Sequence, residues 1–94
     1  MKVSVRFFAA LREIVGKKEE TLEFPKGKDV TVEKVLQRLT ELYGRDFAEY
    51  VYEMQTGEVR SYLQVLVNEK SAKTSKMKLK DGDVLAIIPP VGGG

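Results

Sequence analysis

Apolar and polar positions alternate at the start of the chain. Val3, Val5 and Phe7 are interleaved with Lys2, Ser4 and Arg6, the two-residue period of a strand with one face buried. The next stretch, AALREIV from Ala9 to Val15, reads as a short helical turn stopped by Gly16. EETLEF, Glu19 to Phe24, is a second strand, antiparallel to the first if the connection is short, and Pro25-Lys26-Gly27 ends it. Thr31 then opens a long helix as its N-cap, with Glu33 in the first turn where the helix dipole favours an acid. Val32, Val35, Leu36, Leu39, Leu42 and Tyr43 fall at helical spacing and form one wide apolar stripe, and Gly44 is the expected stop.

Residues 45–62 carry the least regular pattern. Phe47, Tyr50, Val51 and Met54 allow a short second helix, and Gln55 to Glu58 a turn or loop. LQVLV, Leu63 to Val67, is a strand, and Asn68 begins a turn. Asp81-Gly82-Asp83 reads as a hairpin turn feeding VLAII, Val84 to Ile88, which is short and apolar enough for a central strand. One amphipathic helix among several strands implies an α+β domain, a mixed sheet covered by the helix on one face. The expectation is a single domain over residues 1–94, with a flexible tail from about residue 89.

The second face of that sheet is itself informative. If Val3, Val5 and Phe7 meet the helix, Phe8 lies on the opposite face beside Ser4 and Arg6. By the same parity Leu66 points away from inward Val65 and Val67, and Ala86 and Ile88 away from inward Leu85 and Ile87. Phe8, Leu66 and Ile88 would then form an apolar patch. Two readings stay open: a docking surface, or a face that residues 45–62 fold over and bury.

Composition narrows the chemistry. With 94 residues, 43% hydrophobic and 32% charged, the chain is long enough for one small core and is not of disordered type. Sixteen basic against fourteen acidic residues leave +2, too balanced to argue for nucleic acid. The basic run from Lys70 to Lys80 reads as a solvated edge or loop, with an electrostatic contact to a partner as the lesser alternative. The amino terminus carries no apolar signal core, and no apolar stretch approaches membrane-spanning length. The expectation is a soluble cytoplasmic protein. There is no cysteine and no histidine, which removes disulfides, thiolate metal sites and the usual general base near neutral pH. Asp81 and Asp83 lack further carboxylates at calcium-loop spacing and suit a turn better than a metal.

One chemical group is left, the carboxylate of Gly94. The closing stretch IIPPVGGG, Ile87 to Gly94, combines a Pro-Pro pair that favours an extended exit with glycines thin enough for a narrow channel. Composition alone favours a disordered end over a working one.

Four segments together resemble the MoaD/ThiS family of ubiquitin-like sulfur carriers, most closely its molybdopterin synthase small-subunit branch. They are VRFFAALREIVG at Val5 to Gly16, TVEKVLQRL at Thr31 to Leu39, VLVN at Val65 to Asn68, and LKDGDVLAIIPPVGGG at Leu79 to Gly94. The resemblance implies a β-grasp fold with no bound cofactor, and a non-catalytic subunit whose chemistry takes place on its own terminus. It implies that an ATP-using enzyme of the ubiquitin-activating type adenylates Gly94, next to Gly93, and that a sulfur donor converts the adenylate to a thiocarboxylate. The tail would then enter the large subunit of molybdopterin synthase and deliver sulfur to the pterin precursor, in the synthesis of a molybdenum or tungsten cofactor. The partner contacts it implies are Phe8, Ile88, Pro89, Pro90, Val91 and Gly92; Leu66 joins them from the face argument. Relatives with the same Gly-Gly end serve instead as protein modifiers or in tRNA thiolation, and others in the thiamine pathway.

Overall fold

The computed structural model describes residues 1–26, 29–72, 74 and 76–89. In chain order the elements are β1 (Lys2–Phe7), α1 (Ala10–Val15), β2 (Glu19–Glu23), α2 (Val32–Tyr43), α3 (Arg45–Val51), β3 (Gln64–Val67), β4 (Lys70–Ser71) and β5 (Val84–Ile88). The strands form one sheet in the order β2-β1-β5-β3-β4. β1 pairs antiparallel with β2 and parallel with β5, and β5 pairs antiparallel with β3. β5 is therefore central. A parallel pair needs a long crossover, and here most of the chain, helices included, runs between β1 and β5.

The expected parity holds on the covered face. Val3, Val5, Phe7, Leu85 and Ile87 are at most 1% exposed, and they pack with Val32, Val35, Leu36 and Leu39 of α2. Thr31 caps α2 as its Oγ1 accepts the Lys34 amide at 3.2 Å. Gly44, at φ 79°, lets the chain turn from α2 into α3. Tyr43 ties α2 to β2 by donating its hydroxyl to Glu20 Oε1 at 2.9 Å. That bond, with Lys17 beside it, holds the Glu20 carboxyl below its ordinary pKa, against the opposing effect of burial. Burial and the same carboxylate push the Tyr43 phenol up to about 12.

Four expectations are revised. Leu42 is 53% exposed: at 3.6 residues per turn it sits about 80° from the centre of the stripe, while Tyr43 takes the core side against Phe7 and Phe47. The short second helix exists but ends at Val51, leaving Met54 60% exposed in a turn. Asp81-Gly82-Asp83 is no hairpin, since β5 pairs with β1 and β3 rather than with the strand before the turn. Pro89 is buried rather than standing clear of the domain, because it continues the inward alternation of Leu85 and Ile87.

Segment 45–62 resolves the two readings of the outer face. Phe47 and Val51 are fully buried in the helix-side core, where α3 packs on α1 and α2. The chain then makes a small loop closed by the Tyr52–Val59 bridge. Arg60 clamps it, donating to the Glu49 carbonyl at 3.1 and 3.0 Å and to Glu53 Oε2 at 3.1 Å. The segment thickens the covered side, and the opposite face is left bare by it.

Candidate functional site

The bare face is built by strand parity. The residues whose side chains cannot turn inward, because their neighbours fill the core, include Arg6 on β1, Leu66 on β3, and Val84, Ala86 and Ile88 on β5. Phe8 follows β1 directly. There the chain breaks away sharply at Ala9, with φ 52° and ψ −127°, a conformation that non-glycine residues adopt only under strain. Phe8, Leu66 and Ile88 are each half-buried and line one shallow cavity of about 430 Å³. The parity argument made from sequence thus brings its three residues together. Pro89 is next to Ile88 but belongs to the core side, and Pro90, Val91, Gly92, Gly93 and Gly94 lie outside the described residues.

Other members of the cavity were not singled out from sequence. Arg6 and Ala86 fall on this face by the same parity, but nothing in the sequence marks them as functional. Asn68 and Glu69 come from the β3–β4 turn and complete the rim. Both have positive φ, 50° and 71°, a turn for which Asn-Gly is the usual signature, so Glu69 left no readable trace.

One end of the cavity is held by a polar bracket. Asn68 Oδ1 accepts the Val84 amide at 2.9 Å while its Nδ2 donates to Asp83 Oδ1 at 2.8 Å. Asp83 Oδ2 accepts the Lys80 amide and Asp81 Oδ1 the Lys2 amide, both at 2.7 Å. Gly82, at φ 86°, donates to the Lys2 carbonyl at 2.8 Å. The two aspartates thus spend oxygens on backbone amides and lock β5 against β1 and β3. Across the face towards β2, Lys2–Glu23 at 3.6 Å and Arg6–Glu19 at 3.9 Å form exposed cross-strand ion pairs. The outer face is therefore apolar over β5 and β3, and charged over β1 and β2. Among the described residues no helix is long and apolar enough to cross a membrane.

A five-stranded mixed sheet in the order β2-β1-β5-β3-β4, covered on one face by a main helix, defines a ubiquitin-like β-grasp protein. The structure of small archaeal modifier protein 1 from Haloferax volcanii superposes with a TM-score of 0.87 at 28% identity, each chain covered in full. The ThiS family matches residues 5–94, and the chain belongs to this family of ThiS/MoaD-type ubiquitin-like sulfur carriers. Small archaeal modifier protein 3 of Haloferax volcanii is 33% identical over 97 residues, with both chains covered completely. The molybdopterin synthase sulfur carrier subunit of Chlamydomonas reinhardtii is 30% identical over 94 residues, again with both chains covered completely.

Proposed function

We propose that the chain carries sulfur on the carboxylate of Gly94 and delivers it as the small subunit of a molybdopterin synthase. A ubiquitin-activating-type enzyme joins that carboxylate to the AMP moiety of ATP and releases pyrophosphate. A sulfhydryl equivalent from a donor protein then displaces AMP, leaving a thiocarboxylate. No side chain of this protein is asked to act as acid, base or nucleophile, in keeping with a sequence that holds neither histidine nor cysteine. The domain's task is presentation.

The observation that carries the reading is that Ile88 belongs to two things at once. It lines the outer cavity, and it is the last residue of β5, the strand that runs on into the tail. A partner seated on the outer face therefore meets the tail at a set origin. Ile87 and Pro89 are buried on either side of Ile88, so that origin is anchored. The five residues after Pro89, Pro90 to Gly94, reach at most about 17 Å when extended, which suits a buried active site close to the docking surface.

The test is intact-mass spectrometry after incubation with ATP, the adenylating enzyme and a sulfur source. The expected mass gain is that of one oxygen replaced by sulfur. Deleting Gly94 should abolish the gain and leave the melting temperature unchanged. An unchanged mass for the full chain under those conditions would overturn the reading.

A second reading, conjugation to lysines of target proteins, draws on the full-length likeness to the Haloferax volcanii modifier protein. Both begin from the same adenylate. Ladders of higher-mass conjugates that survive reduction on an immunoblot would favour the second, and recovery of a molybdopterin synthase large subunit from the native lysate the first.

A further inference from the structure

We propose that the free edge of β2 is a docking site for an extended, cationic segment of a partner protein, which joins the five-stranded sheet as a further strand. This edge lies apart from the tail and from the open face over β5, and its role does not depend on what Gly94 carries.

Strand register shows that the edge is open. Of the two strands at the sides of the sheet, β4 has two residues and β2 has five. At one end of the β1–β2 ladder the Phe7 amide donates to the Lys18 carbonyl; at the other Met1 and Phe24 exchange two hydrogen bonds. Antiparallel pairs alternate in their bonding, so Lys18, Glu20, Leu22 and Phe24 turn their backbone groups towards β1. Glu19, Thr21 and Glu23 turn theirs outward. Two of these outward groups meet side chains of the chain itself. The Glu23 carbonyl accepts Arg38 Nη1 at 3.3 Å, and the Thr21 amide lies close enough to the Glu20 carboxylate to help lower its pKa. Both side chains stand in for the backbone of a neighbouring strand. The other outward groups carry no hydrogen bond among the described residues.

Charge selects the occupant. Glu19 and Glu23 stand opposite Arg6 and Lys2, with Thr21 opposite Ser4 between them. These ion pairs are 3.9 and 3.6 Å long and exposed, so each carboxylate keeps oxygen surface for a second cation. In a strand added beyond β2, side chains four residues apart share the face of Glu19 and Glu23 and lie beside them. Basic residues at those positions extend the alternation of charge that begins at β1. A second copy does not suit the edge: antiparallel pairing centred on Thr21 puts Glu19 of each copy against Glu23 of the other, like charge on like. At its Phe24 end the edge opens on a cavity of about 320 Å³ against α2, whose lining includes Phe24, Val30, Gln37 and Arg38. An inward side chain of the added strand has room there. β1 separates β2 from β5, which sets the docked segment about 10 Å from the strand that leads into the tail. A partner can hold the domain there and leave that strand untouched.

The experiment titrates the isotopically labelled full chain with the peptide acetyl-Lys-Val-Thr-Val-Lys-amide at low salt, followed by NMR. Saturable shifts centred on Glu19, Thr21 and Glu23, with slowed hydrogen exchange of their amides, are expected. Replacing both peptide lysines by glutamate should weaken binding about 10-fold or more, the gap narrowing as salt rises. Thr21→Pro removes an outward amide at a sheet edge, where proline is tolerated, and should weaken binding about 10-fold with the fold retained. Charged residues also guard open edges against aggregation; absence of saturable shifts along β2 overturns the proposal and leaves the glutamates that role alone. Equal binding of the two peptides overturns the charge selection. Wild-type binding by a folded Thr21→Pro overturns the strand pairing; if that variant does not fold, undiminished binding of a peptide N-methylated at its central threonine does so.

Discussion

The two faces of one sheet carry similar residues and do different work. On the inner face Val5, Phe7, Leu85 and Ile87 are at most 1% exposed beneath α2 and α3. One residue along the same strands, Phe8, Ala86 and Ile88 reach only half-burial, around an open hollow. The residue types barely differ; Ile87 and Ile88 are the same amino acid. The difference is what lies opposite. The helices are committed to one side, and segment 45–62 joins that side. Apolar area left open on a small domain costs solubility and is kept where a partner covers it.

That contrast can be broken from either side. The largest expected effect is on the inner side: Phe47→Ala should cost about 3–5 kcal/mol, read as a fall in the urea or thermal midpoint. A shift below 1 kcal/mol would mean that segment 45–62 is an appendage rather than core. Next is Ile88→Lys on the outer side. Its stability should stay within about 1 kcal/mol of wild type, while affinity for the large subunit proposed as its partner falls about 100-fold or more. A large loss of stability would place Ile88 in the core and erase the distinction between the faces.

The smallest effect concerns the seam where α2 is tied to β2. Tyr43→Phe keeps the ring against Phe7 but removes the hydroxyl from Glu20, at a cost of about 1–2 kcal/mol near neutral pH. The pH dependence sharpens it. Glu20 has a lowered folded pKa, so its contribution is present above the ordinary value of 4.5 and lost as pH falls through the lower folded value. Tyr43 has a raised one, so its contribution is present below 10.0 and lost as pH rises towards about 12. The melting temperature of Tyr43→Phe should therefore fall less than that of wild type at both extremes. Parallel profiles would show that the pair does not couple to folding.

Much of the architecture was legible because it rests on local periods. Alternation placed β1 and β5 and sorted their faces, and Thr31 and Gly44 marked the ends of α2. Leu42 was misjudged because spacing describes a stripe but not its edges, and burial at an edge depends on what packs there. Arg60, Asn68 and Asp83 were illegible as structural ties, since each joins strands or loops far apart in sequence. The cavity was half legible. Parity named Phe8, Leu66 and Ile88, but the rim from Glu69 depends on a turn that its sequence does not advertise.

By itself the sequence determined a sheet with one helix-covered face and the lack of any histidine or cysteine for side-chain chemistry. Those follow from side-chain type and period, which are properties of neighbouring residues. Only the tertiary structure decided that segment 45–62 reinforces the covered face, that Pro89 is anchored, and that Arg6, Ala86 and Leu66 stand in one row. These are outcomes of pairing between strands that the chain reaches tens of residues apart, where free energy is settled by packing and register rather than by local preference.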